Sequence, residues 1–402
     1  MGNATVTNAG ADVLVLDYVR TPRGRGSRRG ALHGTSPVNL VVALQRALVE
    51  RGLDPSHVED VMLGTASQVD EQGANVARTA NLLAGWGYEV PGGTLNRFCA
   101  SGIDAVAQTA ARLRSGDLGR LAVAGGVEST SRVPMFSDRG PLFCDPATVR
   151  AVGSVHMGIA ADLNATLEGF GRAELDAYGL ETQQKAVTAR AEGRSAGSLV
   201  PVAGLDHDEL VRPGTTPASL AALEPAFAGL GAEGQDALAL AGHPEAGKVN
   251  HLHTVGTSPA LADGAALLVL GAGDLAGRRP RARIVASATA STDPVIMLTA
   301  GQIAIERVVS KAGLTPDDID VYQFAEAFAA LCLRLRRDLG VGPERLNPSG
   351  GTIATGHAFG ATGAIMVGDC VEELERTGGR YGVAAVSGAA GLGVAVLVER
   401  VE

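Results

Sequence analysis

Apolar positions along this chain follow two rhythms. From Gly102 onward, Ile103, Val106, Ala107, Ala110, Ala111 and Leu113 recur at the spacing of one helix face. A second helical pattern runs from Ala173 to Ala191. Between such segments stand short apolar, β-branched runs: Val13-Leu14-Val15-Leu16, Leu121-Ala122-Val123-Ala124, Ala282-Arg283-Ile284-Val285 and Val383-Ala384-Ala385-Val386. These predict strands. Their alternation with helices predicts an α/β fold in which helices cover sheets.

The pattern occurs twice. Gly52-Leu53-Asp54-Pro55-Ser56-His57-Val58-Glu59 resembles Gly313-Leu314-Thr315-Pro316-Asp317-Asp318-Ile319-Asp320. Each reads as a helix end, a turn and a Pro-started segment that leads into a strand. Cys99 is followed by a helix and then the strand at Leu121, 22 residues on. His357 is followed by a helix and then the strand at Val383, 26 residues on. The intervals differ by about one helical turn. Cys99 and His357 therefore occupy equivalent places in two copies of one unit, and a pseudo-two-fold axis would make them face each other. Between the copies lies a long excursion, residues 129–275, with Pro-, Gly- and Ala-rich loops after its helix. Connections of that length in a compact protein usually carry binding function. The organisation is thus an N-terminal half over 1–128, an inserted loop domain over 129–275 and a C-terminal half over 276–402.

Length and charge narrow the classes. A chain of 402 residues, 46% hydrophobic, holds enough for two or more cored domains. A formal charge of −9 argues against nucleic acid or an anionic membrane as partner. No basic start precedes a long apolar stretch, which argues against secretion. The longest apolar run, Val383 to Val398, is too short and too glycine-rich to span a bilayer. Four cysteines without regular spacing suggest a reducing, cytoplasmic setting. His251-Leu252-His253 lacks a partner cluster and reads as an ordinary histidine pair, so no metal is expected. Gly24 to Gly30, with Arg25, Arg28 and Arg29, reads as a basic surface loop because no amphipathic helix opens behind it.

Cys99 stands at or just before a predicted helix N-terminus, where unpaired N–H groups and the helix dipole favour a thiolate. The alternative is a buried apolar cysteine. The stretch Gly92-Gly93-Thr94-Leu95-Asn96-Arg97-Phe98-Cys99-Ala100-Ser101-Gly102 resembles the nucleophile motif of thiolases. Gly125-Gly126-Val127-Glu128-Ser129 with Arg132, Pro134 and Met135, Val19-Arg20-Thr21-Pro22, and Gly350-Gly351-Thr352-Ile353-Ala354-Thr355-Gly356-His357 resemble other segments of that family. So do Gln183-Gln184-Lys185-Ala186 and Ala262-Asp263-Gly264-Ala265-Ala266 in the excursion. The similarity is nearest to degradative, β-oxidation-type members.

The resemblance implies a duplicated, five-layered α-β-α-β-α thiolase-like fold with an inserted loop domain. It implies that Cys99 takes an acyl group from a thioester and that His357 polarises or deprotonates it. Backbone N–H groups of Cys99 and Ala389 would stabilise one oxyanion. It sets His156, Met157, Ser258, Ala325, Phe328 and Gly388 against the substrate. It also implies a homodimer or dimer of dimers, and acyl-CoA or a phosphopantetheine thioester as substrate with no other cofactor.

Several positions depart from the family. Ser387 stands where thiolases carry a second cysteine that moves the α-carbon proton, and a hydroxyl is a far weaker acid than a thiol. Ala325, in Gln323-Phe324-Ala325-Glu326-Ala327-Phe328-Ala329, replaces an asparagine that supports the other oxyanion site. Ala358 and Phe359 replace a proline and a leucine. Cys144, Cys332 and Cys370 read as buried structural residues. Glu224 stands where a cation meets the nucleotide end of coenzyme A, and Pro259 where a serine contacts pantetheine. Arg212 and Lys248 are cations that could compensate. This pattern fits a carrier-tethered donor as well as acyl-CoA. The expected function is a specialised acyltransferase, working by decarboxylative condensation or by transfer to an amine, alcohol or water. The alternatives are an ordinary 3-ketoacyl-CoA thiolase or acetyl-CoA acetyltransferase and a non-catalytic thiolase-like subunit.

Overall fold

The computed structural model describes residues 10–273, 275 and 277–401. The expected domain limits at 1, 276 and 402 lie outside the described residues. The strands are β1 (Leu14–Arg20), β2 (Gly24–Arg25), β3 (Val58–Gly64), β4 (Gly93–Leu95), β5 (Leu121–Ser129), β6 (Ala262–Gly271), β7 (Ala282–Ser291), β8 (Val321–Phe324), β9 (Tyr381–Gly388) and β10 (Leu392–Arg400). The helices that matter here are α1 (Pro37–Glu50), α2 (Val76–Leu83), α3 (Ser101–Ser115), α4 (Met157–Glu168), α5 (Arg172–Ala191), α6 (Ala300–Lys311), α7 (Ala329–Leu339) and α8 (Phe359–Thr377).

The duplication is visible in the strand order β4-β3-β5-β6-β1-β7-β10-β9-β8. In one copy β3 and β5 are parallel while β5–β6 and β6–β1 are antiparallel. In the other, β8 and β9 are parallel while β9–β10 and β10–β7 are antiparallel. The copies meet where β1 pairs with its counterpart β7, through Leu14↔Arg283 and Val15↔Ala282. Antiparallel pairing of equivalent strands is what a two-fold axis between them requires. The repeated turn forms twice as well. After α1, Gly52 adopts φ +84° and Pro55–His57 makes a 3₁₀ turn into β3. After α6, Gly313 adopts φ +72° and Pro316–Asp318 does the same before β8. The positive φ needs glycine.

Side-chain alternation separates the layers. Ala122, Ala124, Leu268 and Leu270 face one core with Ala384, Val386, Val394 and Val396. That core also holds Ile103, Val106 and Ala110 of α3 and Ile365, Val367 and Val371 of α8. The intervening residues Val123, Leu267 and Val269 turn outward to a second core with α1 and α2. Val383, Ala385, Ala395 and Leu397 turn to a third, with α4 to α7. The result is five layers, α-β-α-β-α, with α3 and α8 as the shared centre. The run Val383 to Val398 supplies two strands of this sheet, and β2 pairs Gly24 and Arg25 with β6. Among the described residues no helix is long and apolar enough to cross a membrane.

The sequence reading extends the inserted domain to 275. In the structure the excursion closes at 261, because 262–271 form β6, hydrogen-bonded to both β5 and β1 and buried on both faces. The excursion is fastened to β1 by charge. Asp208 pairs with Arg20 at 2.9 Å and Arg23 at 2.8 Å, and all three are buried or nearly so. Burial disfavours the Asp208 carboxylate, but the two guanidinium groups outweigh it and hold the group well below the usual carboxylate range. This stabilisation is present above the unfolded value near pH 4 and is lost as pH falls below it. Asp208→Asn leaves two buried cations short of their counter-charge. A loss of about 3–5 kcal/mol in urea unfolding is expected; a loss under about 1 kcal/mol would show that solvent reaches the pair.

Candidate active site

Cys99 lies in the turn between β4 and α3, two residues before the helix begins. The polar residues of its motif build that turn. Asn96 Oδ1 accepts from the Phe98 N–H at 2.8 Å, and its Nδ2 donates to Ala66 O at 2.9 Å. Ser101 Oγ accepts from the Arg97 N–H at 2.8 Å, and Arg97 Nε pairs with Asp104 at 2.8 Å. Phe98 is held at φ +50°, an uncommon conformation for a non-glycine residue and one that clusters at functional sites.

The start of α8 meets this turn. A Cβ at Gly102 would lie 2.3 Å from Gly360 O, and one at Gly126 would lie 2.0 Å from the same oxygen. Only glycine permits that approach. Beneath it the fully buried Glu128 accepts from the N–H groups of Ala66 (2.8 Å), Ser67 (3.2 Å) and Gly360 (2.9 Å) and from Gln72 Nε2 (2.6 Å). Glu128 thus ties the loop after β3 to the start of α8. Sequence reasoning missed this role; its signal was a carboxylate ending an otherwise apolar strand.

His357 is fixed from both sides. Its N–H donates to Ala260 O at 2.7 Å, and its Nδ1 lies 2.8 Å from Thr362 Oγ1. Its Nε2 is buried with no hydrogen-bond partner among the described residues. Burial, with a smaller contribution from Arg23, lowers its pKa to about 4, so the imidazole is neutral at pH 7. An unpaired, neutral ring nitrogen in a dry setting is available to accept a proton or polarise a reacting group.

A cavity of about 50 Å³ opens against Cys99. Met157, Phe359 and Ala389 line it with the cysteine, and so do Met135, Phe136, Asp138 and Phe143, which sequence reasoning did not assign to the site. Phe359 also packs edge-on against His357, 5.0 Å between ring centres. Gly388 adjoins the nucleophile turn, since a Cβ there would lie 3.2 Å from Arg97 O. The structure therefore gathers Cys99, Met157, Ala389 and Gly388, with His357 one ring away.

Other candidates are engaged elsewhere. The Ser387 hydroxyl donates to Leu298 O at 2.6 Å and accepts from the Gly301 N–H at 2.9 Å, pinning the start of α6, and it does not line the cavity. Ala325 is buried and donates its N–H to Ala385 O at 3.1 Å. Its neighbour Glu326 gathers Tyr178 OH (2.8 Å), Thr182 Oγ1 (2.9 Å), Asn347 Nδ2 (3.1 Å) and the Ile353 N–H (3.0 Å), tying α5 to the histidine loop. Ser258 Oγ donates to Thr254 O at 2.7 Å. His156 caps α4, its Nδ1 accepting from the Gly158 N–H at 3.0 Å. Its ring begins a row that continues through Phe227 and Phe328 to His253 at spacings of 5.5–5.7 Å. His251 and His253 both bind Asp162, at 3.0 and 2.8 Å. Among the described residues no group of three or more His, Cys, Asp or Glu could hold a metal ion.

Two expectations change. Cys332 and Cys370 are buried, but Cys144 is exposed, on the short helix Pro141–Cys144. The Cys99 thiol is not biased toward thiolate. Burial, and then the Glu128 carboxylate, push it up to about 12, against a weaker pull from its own backbone N–H. Desolvation and a nearby like charge outweigh the helix end. The free protein should therefore show iodoacetamide alkylation at Cys99 that climbs about tenfold per pH unit from pH 7 to 10 without levelling. A plateau near pH 8 would mean a preformed thiolate.

Comparison with known proteins agrees with this architecture. The thiolase N-terminal domain family matches residues 13–274 and the thiolase C-terminal domain family residues 278–400. The chain is 35% identical to a beta-ketoadipyl-CoA thiolase of Escherichia coli, over 97% of this chain and 100% of that protein. It is 36% identical to a 3-ketoacyl-CoA thiolase of Marinobacter nauticus, over 97% and 98%. The crystal structure of the Bacillus anthracis acetyl-CoA acetyltransferase superposes with a TM-score of 0.84 at 31% identity, covering 98% of this chain and 100% of that one. From its duplicated five-layered fold to its matched halves, the chain belongs to the thiolase family of acyltransferases.

Proposed function

We infer that the protein acylates Cys99 from an acyl thioester and passes the acyl group on without drawing a proton from carbon through a second cysteine. The observation that carries this is Ser387, whose hydroxyl hydrogen is held by Leu298 O. The cavity beside Cys99 offers only Asp138 as a further base, and an exposed carboxylate is a weaker base than a thiolate.

In this mechanism Sγ of Cys99 attacks the thioester carbon while His357 Nε2 takes the thiol proton. N–H groups of Cys99 and Ala389 stabilise the oxyanion. Collapse breaks the carbon–sulfur bond of the donor, and the leaving thiolate takes the proton from His357. An amine, alcohol or water can then attack acyl-Cys99 with His357 as base. Alternatively, a β-carboxylated thioester loses carbon dioxide, the electron pair released attacks the acyl carbon, and the carbon–sulfur bond to Cys99 breaks, its thiolate taking a proton to regenerate the thiol. Either route dispenses with the missing cysteine. Relatives are named for 3-ketoacyl-CoA and beta-ketoadipyl-CoA, which supports a CoA thioester as donor and keeps ordinary thiolysis as the second reading. Glu224, Arg212 and Lys248 are all exposed, which leaves a carrier-bound donor compatible with the surface. A cytoplasmic homodimer is part of this reading. It is supported by the edge strand β4 and by Leu82, Leu83 and Tyr88 nearby, 46%, 54% and 85% exposed.

The test is intact-mass spectrometry after brief incubation with acetyl-CoA and, separately, an acetylated pantetheine mimic, with Cys99→Ala as control. A Cys99-dependent acetyl adduct is expected. An adduct with the mimic alone would assign a carrier-bound donor, and none with either would favour a non-catalytic subunit.

A further inference from the structure

We propose that Asp138 makes the site reject acyl groups ending in a carboxylate, so that the acyl donors are uncharged; this builds on acylation of Cys99 as inferred above. The site is the cavity that opens against Cys99. Phe98, Phe136, Phe143 and Phe359 give its wall four aromatic rings. Phe143 lies 6.2 Å from Phe98 and 4.7 Å from Phe136, ring centre to ring centre. Among the described residues, Asp138 is the only ionisable side chain on that wall apart from Cys99, and none is a lysine, arginine or histidine.

Local geometry explains how a carboxylate comes to be there. Ser137 donates its N–H (3.1 Å) and its Oγ (2.6 Å) to Pro134 O, and the Arg139 N–H donates to Phe136 O at 3.0 Å. Phe136 and Arg139 adopt φ +70° and +52°. This tight turn brings Phe136 and Asp138 to the same cavity. Asp138 forms no ion pair among the described residues and touches only the Gly140 N–H, at 3.5 Å. From below, buried Glu128 already acts on the Cys99 sulfur as a negative charge. An acyl chain ending in a carboxylate would thus enter a cavity that carries one carboxylate on its wall and has no cation among its described lining residues. At a separation of about 6 Å and an effective dielectric of about 40, one such repulsion corresponds to roughly a tenfold rate difference.

The experiment compares acylation rates of Cys99 by butyryl, succinyl and monomethyl-succinyl thioesters. In parallel, it compares alkylation of Cys99 by iodoacetate and by iodoacetamide. The native protein is expected to disfavour succinyl about tenfold against both neutral groups, and iodoacetate against iodoacetamide beyond their intrinsic ratio. Asp138→Asn should narrow both ratios about tenfold and Asp138→Lys more, and 0.5 M salt should narrow them in the native protein. A methyl ester as slow as succinyl would mean that size selects, and ratios unmoved in both variants would remove Asp138 from the account. If no thioester modifies Cys99, the acyltransferase reading fails on its own, and the alkylating pair still decides the charge reading.

Discussion

Replacing Ser387 with cysteine and Ala325 with asparagine together is expected to raise thiolytic cleavage of a 3-oxoacyl thioester by at least two orders of magnitude. The first change restores a group that titrates near pH 8.5 in place of a hydroxyl that does not ionise in the working range. A thiol is also a weaker hydrogen-bond donor, so its proton is held less firmly by Leu298 O than the serine hydrogen is at 2.6 Å. The second change returns a side-chain donor to a position that now carries a methyl group, and removal of one oxyanion donor elsewhere costs roughly 10²–10³ in rate. Both sites are buried, so some stability is lost; an unsatisfied amide at 325 would cost about 1–3 kcal/mol. The measurement is loss of acetoacetyl thioester in the presence of CoA, with urea unfolding to confirm that the variant is folded. If a folded double variant still acylates Cys99 but cleaves no faster, the block lies in binding the second thiol, at Glu224 and Pro259.

His357→Gln should slow acylation of Cys99 by about a thousandfold, within the usual range for loss of a positioned general base. A thiol raised to about 12 has little thiolate at pH 7, so its proton must leave as the sulfur attacks. In the proposed mechanism the unpartnered Nε2 of His357 takes it. The native acid limb follows from the same environment. The neutral imidazole prevails above about pH 4 and is lost below it, so acylation should fall as pH drops through that value and stay level toward neutrality. The glutamine variant should lack this limb while retaining the fold. An unchanged rate, or an unchanged acid limb, would transfer the role of base to another group.

The parts of this molecule written in short-range patterns were legible in its sequence. Gly52 and Gly313 with their following prolines announced the two copies because a turn with positive φ and a 3₁₀ start has a local signature. The equivalence of Cys99 and His357 followed from the same spacing. Other features depend on what a segment meets after the chain has folded. The charge state of Cys99 turned on burial and on Glu128, which arrives from another strand. The run Ala262 to Gly271 forms a strand although it contains an aspartate and a glycine near its start. Asp263 is nevertheless tolerated inside a strand by the Ser131 N–H at 2.9 Å. Phe136, Asp138 and Phe143 carried no motif, and only the turn around Ser137 brings them to the cysteine.

The order of strands has a consequence for synthesis. β10, the last strand in the chain, is not at an edge; it sits between β9 and β7. Until it is made, β8 and β9 have no ladder by which to reach the rest of the sheet, and α8 lacks Val394, Val396 and Val398 of the core it packs into. Cys99 and His357 both precede β10 in the chain, so the strand that joins the two parallel pairs into one sheet is added only after both residues.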